Sequence, residues 1–235
     1  MKLKIIFDKE SLSEDCASGW GISYLVNHKV LFDAAEKGEY LLKNLEALKV
    51  DIWQIEKAVI SHNRWNHRAG IWDLLKANSK IEVLAGKDFL TEFKDRLLKY
   101  NFRLIQSQEE IAKNIYTTGC LLSQDKGSTI EEQALVLESP KGVSLVCGCA
   151  HPGILEFVKK VKMQFPAKRF YAVLGGLHLM NEEKRTIDYI AGQIKNSGVQ
   201  NIGPGHCSGF EAVTVFKKLY PKNFLEVKAG QEFEL

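Results

Sequence analysis

The sequence predicts a layered α/β fold. Short apolar runs of strand length recur along the 235 residues, amphipathic segments of helical period separate them, and no Ser- or Gly-rich linker divides the chain. A chain this long can bury a sizeable core, and we expect one domain over residues 1–235.

Residues 22–26 and Val30–Phe32 read as a hairpin turned by Asn27-His28-Lys29. Residues 37–48 place Tyr40, Leu41, Leu45 and Leu48 at helical spacing. A short buried strand at 57–60 runs into His62. Ile71, Leu74 and Leu75 mark a helix after Gly70, and 81–84 is the next strand. Phe89, Phe93 and Leu97 lie four apart, on one helix face. In the second half, strands at 134–137 and 143–146 flank the turn Ser139-Pro140-Lys141-Gly142. Pro152 suits the first turn of a helix through Ile154, Leu155, Val158 and Val161. After a strand at 170–174, Asn181 is the expected cap of a helix stopping near Gly198. Ser208 and Glu211 form a capping box for the last helix, and 223–227 is the expected final strand.

Composition excludes several function classes. Hydrophobic residues make up 45% and charged residues 26%, as in ordinary globular proteins. The net charge of +3 is small and the basic residues are scattered, so no nucleic-acid partner is expected. No apolar run reaches membrane-spanning length, and the apolar part of residues 1–8 is too short for a secretory signal. The five cysteines (Cys16, Cys120, Cys147, Cys149 and Cys207) are odd in number and form no dense framework. That pattern fits a reducing cytoplasm. Cys147 and Cys149 alternate on a strand and share a face. Without a second Cys-x-x-Cys they read as small buried hydrophobes rather than as a structural zinc site. There is no Gly-x-Ser-x-Gly elbow, P-loop or dinucleotide fingerprint.

The histidines carry the chemistry. Of six, His62, His151, His178 and His206 each come just after an expected strand, and His67 shares the loop of His62. Only His28 stands apart, in the hairpin turn. Loops at strand ends over a rigid sheet are where α/β proteins build sites, and imidazole suits zinc, iron or manganese.

A series of blocks occurs in one order: Gly19-Trp20-Gly21, Leu31-Phe32-Asp33, Ser61-His62 through His67-Arg68-Ala69-Gly70, Thr117-Thr118-Gly119, Glu132-Gln133-Ala134-Leu135, Gly148-Cys149-Ala150-His151-Pro152-Gly153, Gly175-Gly176-Leu177-His178-Leu179 and Gly205-His206-Cys207. Together they resemble the metallo-β-lactamase superfamily, in the subfamily that includes the dihydropterin ribofuranosylaminobenzene-phosphate synthases. The resemblance covers nearly the whole chain. It implies a four-layer αββα sandwich with the site at one edge. It also implies metal ligands at His62, His67, His151 and His206, with His178 a ligand or a substrate contact. Asp33 matches the aspartate of a Phe-Asp-Thr-Gly block in which Ala34 and Ala35 replace Thr-Gly.

The family's His-x-His-x-Asp-His motif is altered. Arg64 stands at the second histidine and Asn66 at the aspartate, so the loop is two charge units more positive than an intact motif. Two unit positive charges ~4 Å apart repel by about 4 kcal/mol at an effective dielectric of ~20, and a divalent ion feels more. Arginine keeps its proton and cannot become a ligand. The expectation is therefore one divalent ion (zinc, iron or manganese) or none. Arg64 presents a fork suited to phosphate or carboxylate; with Asn66, His178 and Asp33 it forms the candidate substrate or anion contact set. Two readings follow. One is a hydrolase or transferase acting on a phosphorylated or pterin-like small molecule through an altered site. The other is a non-catalytic anion- or small-molecule-binding protein that has lost its metals.

Overall fold

The computed structural model describes residues 1–125 and 127–235. Its first half runs β1 (Lys2–Phe7), β2 (Ser23–Val26), β3 (Val30–Phe32), α1 (Gly38–Ala47), β4 (Lys57–Val59), α2 (Trp65–Arg68), α3 (Ile71–Ala77), β5 (Glu82–Ala85), α4 (Lys87–Leu97) and β6 (Phe102–Leu104). The second half follows with β7 (Glu109–Ala112), β8 (Ile115–Thr117), β9 (Leu121–Asp125), β10 (Ser128–Glu132), β11 (Leu135–Ser139), β12 (Gly142–Cys147), α5 (Ile154–Gln164), β13 (Phe170–Gly176), α6 (Lys184–Asn196), β14 (Asn201–Gly205), α7 (Phe210–Leu219) and β15 (Glu232–Glu234). One sheet has the order β15-β1-β2-β3-β4-β5-β6, and another β14-β13-β12-β11-β8-β7; β9 and β10 make a separate ribbon.

Strand alternation explains the layers. Tyr24, Val26, Phe32, Val59 and Leu84 point inward to meet Leu135, Leu137, Val146, Ala172 and Leu174 from the facing sheet. The residues between them point the other way. Leu25, Leu31, Ala58 and Val83 pack beneath α1, α3 and α4. Val136, Leu145 and Val173 pack beneath α5, α6 and α7. Period-two side chains on two sheets thus create three apolar interfaces and four layers. This is the expected αββα architecture. No helix of the described residues is long and apolar enough to cross a membrane.

The hairpin turn is as expected, with Asn27 and His28 both left-handed at φ 49° and 63°. Four local expectations fail. Pro152 stays in a turn outside α5, whose N-cap is Gly153. Asn181 does not cap α6; Glu183 occupies that position. Ser208 caps nothing, because its hydroxyl accepts from Leu177 N–H instead, and Gly209 precedes α7. The stretch 223–227 makes only an isolated bridge at Phe224, while the last strand is β15, paired to β1.

The parallel segments position the site. β3 and β4 run parallel in one sheet, and β12, β13 and β14 run parallel in the other. Asp33, His62, Cys149, His178 and His206 all follow carboxyl ends of these strands, the edge where open α/β sheets gather ligands.

Candidate metal centre

The two sheets meet at the site through a glycine. A Cβ on Gly148 would lie 2.3 Å from Ser61 Oγ, so only glycine lets the end of β12 approach the loop after β4. Gln133 ties the same seam, donating from its backbone N–H to Ser61 O and from its amide to Ile60 O.

Across that seam four imidazoles converge. Ring centroids are 4.2 Å apart for His62 and His67, 4.7 Å for His62 and His151, and 4.9 Å for His67 and His206. His178 joins at the rim, 4.5 Å from His151. His62, His67 and His206 are buried, His151 is partly buried, and His178 is exposed.

Two buried carboxylates orient these rings. Asp33 is 1% exposed. It accepts from the Ser61 backbone N–H and from Ser61 Oγ, each at 2.7 Å, and from His67 Nδ1 at 2.7 Å. Since Ser61 spends its hydroxyl proton on Asp33, its oxygen accepts from His62 Nδ1 at 2.8 Å. Asp33 therefore sets both tautomers of the loop, His67 directly and His62 through Ser61. It faces the histidines and acts as a positioning group, not as a contact for an anion.

Glu132 does the same for the other sheet. Its side chain is fully buried and accepts the backbone N–H groups of Cys149, Ala150 and His151 at 2.9, 2.7 and 2.8 Å. It also holds His151 Nδ1 at 2.9 Å. In all three oriented histidines Nε2 is the nitrogen turned away from the orienting partner, the arrangement by which carboxylates orient ligand imidazoles.

The electrostatics favour neutral rings. Burial, and then the neighbouring His67, His151 and His206, push His62 well below the ordinary histidine range. Burial does the same to His206, with His67 and Lys9 adding to it. Burial raises Asp33, opposed by His67 and Ser61. Burial also opposes ionisation of Glu132, but the His151 contact and the backbone N–H groups together hold its carboxyl below the usual range.

The donor set fits a metal ion. His62 Nε2 and His206 Nδ1 are buried with no hydrogen-bond partner among the described residues, which leaves lone pairs or protons uncompensated. Ligand atoms of His62, His67 and Cys149 lie within 4.8 Å of one another, as do those of His62, Glu132 and His151.

The two altered motif positions behave differently. Arg64 is at the N-terminus of the short helix α2 and pairs with Asp125 at the end of β9. Its charge is thereby matched, which weakens the repulsion expected from the sequence. Asn66 stays in the site, its amide nitrogen 3.4 Å from His206 Nε2.

The chain is similar to proteins already known. No family model matches the chain. A solved structure described as Tm1679, a metal-dependent hydrolase of the β-lactamase superfamily, superposes with a TM-score of 0.86 at 25% identity, over 100% of this chain and 99% of that one. The chain has the metallo-β-lactamase fold. It is also 27% identical, over 94% of both chains, to the 7,8-dihydropterin-6-methyl-4-(β-D-ribofuranosyl)-aminobenzene-5'-phosphate synthase of Methanocaldococcus jannaschii. An uncharacterised protein of the same archaeon is 27% identical over 97% of this chain and 98% of its own length. The short form of human tRNase Z shares the metallo-β-lactamase fold, with a TM-score of 0.67 at 10% identity.

The sequence gives Glu132 and Cys207 no visible role and favours a buried hydrophobe at Cys149, yet all three lie beside the histidines. Cys149 Sγ is 3.2 Å from His67 Nε2. The Cys207 sulfur is hydrogen-bonded by Cys149 and His178, which outweigh its burial and pull it below the ordinary thiol value. The signal was present in the spacing: Cys149 is two residues before His151, and Cys207 directly follows His206.

Proposed function

We propose that this protein is a metal-dependent hydrolase or transferase acting on a phosphorylated or pterin-like small molecule, as one cytoplasmic metallo-β-lactamase-like domain over residues 1–235. The altered site holds at most one divalent ion, zinc, iron or manganese, on nitrogens drawn from His62, His67, His151 and His206. What carries this reading is the orientation of His62, His67 and His151 by Asp33, Ser61 and Glu132, which turns Nε2 of each outward from its partner. A bound ion supplies a lowered pKa for water and polarisation of the substrate.

The chain's own residues supply the rest. His178 sits exposed at the rim, and its contact with the Cys207 sulfur raises its pKa, which suits it to an anionic group. Asn66 offers an amide donor. Arg64 becomes an anion clamp when a substrate phosphate displaces Asp125. Trp65, Met180 and Phe210 expose apolar surface in the segments that also carry Asn66, His178 and His206, a rim suited to a flat aromatic group. A cleft of about 410 Å³ reaches His206 between Lys9, Phe210 and Lys217, within the range of small-molecule sites.

Elemental analysis of protein purified without added metal or chelator tests the reading. We expect fewer than two ions per chain, and more in the Arg64→His/Asn66→Asp double variant. Two tightly held ions in the wild type would overturn the altered site. Asn66, a poor replacement for a carboxylate ligand, favours the second reading. No retained ion, together with undiminished binding of phosphate esters, would establish the non-catalytic binding protein instead.

A further inference from the structure

The loop after β4 lacks two of the superfamily's ligands, yet the opposite wall of the site holds two sulfurs beside His206 that the reading above does not use as ligands. Cys149 follows β12, and Cys207 follows β14 directly after His206. A ring nitrogen of His206 and the two sulfurs all lie within 4.8 Å of one another. Donors around one tetrahedral zinc with two thiolates stand roughly 3.8 Å apart, given metal–sulfur bonds of ~2.3 Å. Adjustments of about an ångström, within the reach of side-chain rotation, would close the group on an ion. Cys149 also belongs to the His62–His67 group and to the His151–His178 group. Its sulfur is thus the atom common to both walls of the site.

We propose that Cys149 and Cys207 are thiolate ligands, acting with His206, of the ion this site binds, so that the centre is a mixed thiolate–imidazole site for a borderline or soft cation such as zinc, iron(II) or cobalt(II). The inference rests on the metal reading above and names the ligands that complete it. Three observations support it. His206 is 3% exposed and its Nδ1 has no partner among the described residues, so this imidazole is buried with its hydrogen-bonding capacity incompletely met. Cys149 and Cys207 are 5% and 2% exposed, shielded from bulk water at strand ends that the two sheets hold fixed. The charge also balances. Arg64 and Asn66 leave the motif two units more positive than an intact one, and two thiolates return two negative charges from the other sheet. Three protein ligands leave a fourth position open, as catalytic rather than structural zinc sites do. Thiolate ligands would shift selectivity away from magnesium, calcium and manganese.

Cobalt(II) substitution tests this without relying on activity. Reduced, metal-free full-length protein is titrated anaerobically with cobalt(II), and the near-ultraviolet thiolate-to-cobalt charge-transfer absorption is read alongside ion stoichiometry by native mass spectrometry. The wild type is expected to show the band at one ion per chain. Cys149→Ser and Cys207→Ser each reduce its intensity by about half, and the double variant abolishes it. Cys120→Ser, whose sulfur bonds to Ile105 O instead, leaves it unchanged. Cobalt bound without the band in the wild type would overturn the cysteine assignment and leave the histidine reading standing. No cobalt retained would overturn both. Because the wild-type spectrum alone decides the assignment, a variant that folds poorly does not rescue it.

Discussion

Asp33 and Glu132 are both fully enclosed carboxylates, and each holds the Nδ1 of a site histidine, but their surroundings differ. Glu132 accepts three successive backbone N–H groups besides His151, and its acidity is strengthened. Asp33 accepts one backbone N–H, one hydroxyl and one imidazole, and burial raises its pKa. Asp88, at the start of α4, accepts the N–H of Phe89 and sits near Glu131; burial, and then that neighbour's charge, place it at about 6. Fixed amides compensate a buried charge more fully than groups that can rotate away or lose a proton. On the second sheet the carboxylate is built into the backbone, whereas on the first it depends on its side-chain company.

The strongest test of that contrast is Glu132→Ala. It strands three buried N–H groups, each costing about 1–3 kcal/mol, so a loss of roughly 3–5 kcal/mol or outright failure to fold is expected in denaturant melts. Glu132→Gln should lose less, since an amide oxygen still accepts. If alanine at 132 were tolerated with a normal melting curve, the backbone-anchor account would be wrong.

Asp33→Asn should leave the fold largely intact and weaken metal binding about 10–100-fold, as when a group orienting a ligand histidine is lost. Competition against a chromophoric chelator measures this directly. A variant that unfolds without losing affinity per folded molecule would place Asp33 with Glu132.

Asp88 gives a pH signature. Its folded pKa of about 6 lies above the ordinary 3.8, so the folded state takes up the proton more readily. Its contribution is therefore most favourable at low pH and is lost as pH rises from about 4 to 6. Asp88→Asn should raise stability at pH 7 by about 1 kcal/mol after allowance for solvent screening. That gain should vanish near pH 4, as urea melts across the range would show. A gain independent of pH would point to packing instead.

The smallest effect concerns stability in Arg64→Ala. Its partner Asp125 is at a partly exposed position, and such pairs contribute about 0–1 kcal/mol. Thermal melts should barely move, while calorimetric affinity for a phosphate ester should fall. Unchanged affinity would remove Arg64 from the substrate contacts.

Much of the frame was legible because period-two burial leaves a direct mark on sequence. The β2–β3 hairpin and the runs at β4, β11, β12 and β13 are nearly continuous apolar stretches. β7, β9 and β15 are not, since Glu109, Glu110, Gln124, Glu232 and Glu234 point to solvent on edge strands and ribbons. Such strands exist because a neighbour offers unpaired backbone, and local sequence does not record the neighbour. The same holds at the site. Histidines stand out by their chemistry, whereas Glu132 looks like any carboxylate before a strand until the β12 loop folds over it. Arg64 could not be assigned a partner, because Asp125 is brought to it only by the fold.

Asp33, Ala35, Ala150, His178 and His206 all have left-handed φ values, between 45° and 63°, and all lie in the strand-end segments that build the site and its rim. An isolated L-residue resists that bend by roughly 1–2 kcal/mol. Ala35 does so where the related block carries a more permissive glycine. The bends must therefore be imposed by the sandwich beneath and do not arise from the loop residues themselves. A lineage could exchange what the rim carries one position at a time while inheriting its shape unchanged. On such a frame, innovation in chemistry need not wait for innovation in architecture.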